Sequence, residues 1–209
     1  MAAAALAGCV LTALAACGTD YSGPPKRADS AQGGCRSPQV SSARAPAHSP
    51  LRMGQPFTVD LSKLTSTATK LTLTPRDVQV AGTVKDRFTD SGTYKPASGY
   101  RFLAITFGFE NAGTAEAEAA NSVGNQFFVA SRDGGAWPRV DRTEGCSTVS
   151  ASLASAEKLT SPEEDVGPGG RYTTLVVYAV PASARHLVWY GAKTAVPLEP
   201  AAGGTDGAG

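Results

Sequence analysis

The residue types that most often carry chemistry are few in this chain. It has two histidines, His48 in a Pro/Ser/Ala-rich stretch and His186 just before an apolar run. A histidine makes a metal site only with partners at suitable spacing, and neither has them. A hydrolase of the nucleophile-elbow type needs Gly-x-Ser-x-Gly on a sharp turn. That motif is absent, so Ser147, Ser150 and Ser152 read as loop serines. The acidic run Glu163-Glu164-Asp165 precedes a Gly-Pro turn. Calcium takes clustered oxygens, but three adjacent acids lack the spacing of a calcium loop, and the run reads as solvated. Glu116 and Glu118 also lie on a loop, whereas a glycosidase pair needs two acids fixed on rigid elements. These patterns point away from an enzyme, a metal site and a cofactor. Trp137, Trp189, Tyr172, Tyr178 and Tyr190 sit in or beside strands and read as core. Trp137 follows a Gly-Gly turn and Tyr94 lies in a polar loop, which makes these two the candidates for an exposed binding surface.

The four cysteines are more informative. Residues 2–16 are 15 small or apolar residues without a charge, short of the roughly 18 that suggest a spanning helix. They match the core of a secretory signal peptide. Leu14-Ala15-Ala16-Cys17 resembles the bacterial lipobox. The resemblance implies cleavage before Cys17, a diacylglyceryl thioether on its sulfur, and anchoring at the outer face of the cytoplasmic membrane. Leu6-Ala7-Gly8-Cys9 has a similar pattern but leaves only seven residues between Met1 and the cut. Cys35 and Cys146 remain. Outside the cell an even pair suggests a disulfide rather than two free thiols. Closing a loop of about 110 residues would stabilise the fold by about 4–5 kcal/mol on chain-entropy grounds.

These groups need a scaffold, and composition bounds it. The chain has 209 residues, with 19 Lys plus Arg against 18 Asp plus Glu. That balance argues against a nucleic-acid binder. From Gly18 to Pro50, 20 of the 33 residues are Gly, Pro, Ser or Ala, too few apolar groups to offset the entropy of ordering the stretch. The expected organisation is a signal peptide over 1–16, a flexible tether over 17–53, one domain over 54–198 and a disordered tail over 199–209. Within 54–198 there are 14 basic and 14 acidic residues.

The domain is a run of strand signals. Phe57, Val59 and Leu61 alternate with polar residues, as do Leu71 and Leu73. Pro75 then interrupts, which predicts an edge strand or one that kinks between sheets. Leu103, Ile105, Phe107 and Phe109 share one face of a strand that ends at Asn111-Ala112-Gly113. Further strands are expected over 126–131, 171–180, 186–190 and 195–198. About seven strands separated by turns predict an all-β, immunoglobulin-like antiparallel sandwich. Two connections are long, 81–98 and 139–165, the second with room for one short helix near 150–159.

The order of motifs adds a family. Gly99-Tyr100-Arg101-Phe102-Leu103 runs into Phe109-Glu110-Asn111-Ala112-Gly113. Phe127 to Ala130 with Asp133-Gly134-Gly135 follows, then Gly167-Pro168-Gly169-Gly170 leading to Tyr178-Ala179-Val180-Pro181. This resembles the telokin-like, immunoglobulin-like domain of unknown function of bacterial secreted proteins and lipoproteins, over about residues 70–198. The resemblance implies a β-sandwich outside the cytoplasmic membrane and no catalytic residue. The expected role is non-catalytic docking to another envelope protein or a wall polymer through the two long loops or an exposed edge strand. The alternative is a small-ligand or metal-binding accessory module of a transporter. On the docking reading, deleting 139–165 should abolish binding and leave the fold intact.

Overall fold

Leu175 to Val180 is an unbroken apolar run, and every one of its side chains is buried. A strand with one wet face alternates, whereas a continuous run needs cover on both faces. The computed structural model, which describes residues 34–40, 51–61, 70–89, 92–124, 126–191 and 194–198, provides that cover. The predicted signal peptide, Cys9, Cys17, His48 and the tail over 199–209 lie outside the described residues.

In chain order the elements are β1 (Phe57–Asp60), β2 (Lys70–Ala81), β3 (Val84–Lys85), β4 (Thr93–Tyr94), β5 (Tyr100–Asn111), β6 (Ala117–Glu118), α1 (Ala119–Gly124), β7 (Phe127–Ser131), β8 (Ala136–Trp137), α2 (Val149–Ala156), β9 (Asp165–Val166), β10 (Arg171–Pro181), β11 (Leu187–Gly191) and β12 (Thr194–Pro197). One sheet has the order β1-β2-β5-β10 and the other β12-β11-β7-β8, with small ribbons β3-β4 and β6-β9. Both main sheets are antiparallel throughout. The fold is an immunoglobulin-like antiparallel β-sandwich, with eight strands in its main sheets against the seven or so expected.

β5 and β10 form its spine, in register from Arg171 opposite Glu110 to Pro181 opposite Tyr100. Their inner face carries Leu103, Ile105, Phe107, Phe109, Val176, Tyr178 and Val180, packed with Phe127, Val129, Trp189 and Val196 of the second sheet. Their outer face carries Phe102, Ala104, Leu175, Val177 and Ala179. Val149, Leu153 and Ala154 of α2 cover that face, together with Val84, Val140 and the two cysteines. The molecule therefore has two apolar cores, one on each side of a single sheet.

This corrects two expectations. The 139–165 segment is not a docking loop standing off the fold, because its helix buries six consecutive residues, Val149 to Ala154. Deleting it would uncover Leu175, Val177 and Ala179, so the expectation that the fold survives the deletion is withdrawn. Nor is 17–53 a tether throughout. Cys35 donates its N–H to Lys95 O at 2.7 Å and accepts from Ala97 N at 2.8 Å, while Leu51 N donates to Ala195 O at 3.0 Å. Residues 34–40 and 51–53 thus belong to the domain.

Pro75 sits where β1 gives out. β1 pairs with Lys70 to Leu73 only, and the β2–β5 register shifts between Pro75 and Asp77. The missing N–H of proline costs nothing where no strand lies alongside. Both readings of Pro75 hold in part: β2 is interior before it, and beyond it has β5 as its one strand neighbour among the described residues.

Inside the main core, Trp189 Nε1 donates to Tyr178 Oη at 2.8 Å, with both residues fully buried. Tyr178→Phe should lower stability by about 1–3 kcal/mol, because it orphans a buried indole N–H. Chemical denaturation measures this, and a loss below about 0.5 kcal/mol would show that the N–H finds another acceptor.

Candidate functional site

Cys35 and Cys146 are joined by a disulfide, with Cα atoms 6.0 Å apart. Both are buried. The bridge fastens the 34–40 segment to the turn that leads into α2. Thr143 Oγ1 donates to Arg36 O at 2.9 Å beside it.

Next to the bridge the fold brings together a carboxyl and a hydroxyl. Asp141 Oδ1 accepts from Ser150 N at 2.9 Å, and Asp141 Oδ2 accepts from Ser150 Oγ at 2.5 Å. Ser150 Oγ in turn accepts from Val177 N at 2.9 Å. Asp141 is only partly buried as a residue, but its carboxyl lies inside. Burial pushes it up to about 6, opposed by the two Ser150 hydrogen bonds and the Arg139 charge. A serine beside a carboxyl of raised pKa has the outline of a catalytic pair. Here Ser150 is 1% exposed and its oxygen is committed to a strand N–H, so the pair positions α2 on β10.

The sequence-predicted surface residues fare differently. Trp137 is 3% exposed and belongs to the main core, which corrects its reading as a binding residue. Its ring lies over Gly135, where a Cβ would come within 2.6 Å of Trp137 Cη2. The turn that promised exposure instead supplies, at a φ of 108°, the side-chain-free floor for the indole. Tyr94 is half-buried, with Oη 2.6 Å from Thr148 Oγ1 at the start of α2. It ties the β3-β4 hairpin to the helix. Glu163 and Glu164 are exposed, and among the described residues no group of three or more His, Cys, Asp or Glu converges to hold a metal.

The tip of that hairpin, by contrast, faces outward. Asp86 Oδ1 accepts from Phe88 N at 3.0 Å, Asp86 Oδ2 accepts from Thr89 Oγ1 at 3.0 Å, and Thr89 Oγ1 accepts from Gly92 N at 3.1 Å. Arg87 N donates to Ser152 Oγ at 3.1 Å, fastening the base of the tip to α2. This tied turn holds Phe88 in water, 45% exposed, with the Arg87 guanidinium 4.3 Å from its ring centroid. Sequence reading passed over Phe88 because the loop is polar on average. The usable signal was a lone large aromatic two residues after an aspartate that can close an Asx turn.

No protein-family model and no curated protein sequence matches the chain. Among solved structures it is similar to a secreted protein from Mycobacterium tuberculosis, at 12% identity and a TM-score of 0.43 over 74% of this chain and 100% of that one. It is similar to an uncharacterized β-sandwich protein from Clostridium difficile, at 12% and 0.43 over 75% and 99%. A conserved hypothetical protein from Bacillus anthracis matches at 15% and 0.41 over 65% and 89%.

The Asp141 carboxyl gives a pH signature. Its folded pKa, about 6, lies above the unfolded value of 3.8, so the folded state holds this proton more tightly. Its contribution is most favourable below about pH 4, falls as pH rises through 6, and is flat above. The fall is at most about 3 kcal/mol. Asp141→Asn should flatten that window in denaturation curves taken between pH 4 and 7. An unchanged slope would show that the carboxyl titrates as in water.

Proposed function

We propose that this chain is a non-catalytic docking module of the cell envelope. It is held at the outer face of the cytoplasmic membrane by lipid on Cys17 and binds another envelope protein through the β3-β4 hairpin. The reading includes the resemblance to the telokin-like family, whose members are secreted or lipid-anchored. The Cys35–Cys146 bridge supports an extracytoplasmic site, since such bonds persist in oxidising compartments.

The observation that carries the docking reading is Phe88. An aromatic exposed on a pre-ordered turn, with an arginine against its face, has the composition and rigidity of an interface anchor. Preorganisation matters because side chains already fixed lose less entropy on binding. The partner is read as a protein on the same ground, since aromatic and arginine anchors fill pockets in protein surfaces.

A photoreactive residue at position 88 should give one dominant protein adduct in intact cells. Phe88→Ala should weaken that complex about tenfold or more without shifting the melting temperature. Absence of any adduct above background would remove the hairpin as the docking surface. Separately, Cys17→Ser should move the protein from the membrane fraction to the soluble fraction. Continued membrane association of that variant would argue against lipid anchoring.

A further inference from the structure

At the end of the β5–β10 pair opposite Asn111 and Gly170, which share a backbone hydrogen bond, two arginines converge. Arg101 stands near the start of β5, opposite Val180. Its Nη2 donates to Ala184 O at 3.0 Å. Arg185 Nη1 donates to Ala182 O at 2.7 Å and to the same Ala184 O at 3.3 Å. One carbonyl thus receives both guanidinium groups. Among the described residues neither arginine has a carboxylate within ion-pair distance. The nearby Asp133 pairs with His186, at 3.1 Å from Nδ1 to Oδ2. Arg132 joins the same end, its N–H donating to His186 O at 3.2 Å.

Two features go beyond loop capping. Arg101 Nε is buried and has no acceptor, and buried donors are rarely left unpaired. His186 holds a left-handed φ of 48°, a conformation that costs a non-glycine residue and gathers at functional positions. Like charges brought together repel. Burial and then the Arg185 charge hold the Arg101 guanidinium below its ordinary pKa. A bound anion would offset that repulsion.

We propose that Arg101 and Arg185, flanked by Arg132 and His186, form a binding site for a phosphate-type oxyanion. Paired guanidiniums present several N–H donors in planes that match the oxygens of a phosphate group. A lysine pair would offer charge without that geometry. Arg101 sets the floor of the site at the sheet, and Arg185 is the exposed arm. The site shares no residue with the Phe88 hairpin and stands whether or not that hairpin docks a protein.

The test titrates inorganic phosphate into the full chain by calorimetry at constant ionic strength, with chloride as control. Saturable binding is expected, weakened about tenfold or more in Arg185→Gln. Arg185 is exposed, so its loss should leave the melting temperature in chloride unchanged while abolishing the rise that phosphate produces. Arg101→Lys keeps the charge and should still bind less well than the parent chain. The source of the phosphate is read by flotation with phosphatidylcholine vesicles with or without phosphatidylglycerol. Extra binding to the anionic vesicles that needs Arg185 and is displaced by phosphate supports a lipid headgroup. Phosphate binding without that extra vesicle binding supports a soluble or polymer-borne phosphate. If Arg185→Gln changes neither phosphate nor vesicle binding, or neither occurs, the proposal is overturned.

Discussion

The outer edge of β10 sets the central constraint on this fold. β10 is buried on both faces, so water cannot serve the backbone groups along its unpaired side, and each such group needs a partner from the protein. Partners come from around Ser37, Ser150 and Thr160, and Arg139 adds an antiparallel bridge to Tyr178. Ser37 N donates to Ala179 O, and Ser37 Oγ accepts from Ala179 N. Ser150 Oγ accepts from Val177 N. Thr160 N donates to Thr173 O, and Thr174 Oγ1 donates to Thr160 O. An edge that would otherwise template a neighbouring strand is closed by backbone and side-chain groups of other segments.

Much of the remaining architecture follows from keeping those partners in place. Ser37 reaches β10 from 142 residues away in sequence and Ser150 from 27. The disulfide joins the two segments that carry them, and Asp141 fixes the Ser150 hydroxyl from the other side. The helix that this arrangement seats then covers the outer core. Burying the Asp141 carboxyl costs stability near neutral pH. It returns an aligned hydroxyl at a backbone N–H that would be costlier to leave alone.

The same economy explains why the groups with a chemical look are mostly occupied. Ser150, Asp141, Trp137 and Tyr94 each complete the fold. Among the groups left nearer the surface are the exposed aromatic Phe88 and the arginine pair Arg101 and Arg185. Sandwiches host many functions, so on the two proposals made above any specificity would lie in those features rather than in the sheets.

Local periodicity made the sandwich readable. The strand ending at Asn111, the Leu175–Val180 run and the Gly-rich turns lie where alternation and turn chemistry placed them, because each depends on neighbours within a few residues. The pairing of Cys35 with Cys146 was also an expectation from counting cysteines. Three things were decided only by the tertiary structure. Pro75 is interior on one side of itself and edge on the other because β1 ends there. The 139–165 segment became core because a second apolar face of the same sheet needed cover. Trp137 was buried and Phe88 exposed because Gly135 lacks a side chain and Asp86 closes a turn. In each case the determining contact joins groups whose relation appears only once the sheets are stacked, and no local pattern encodes it.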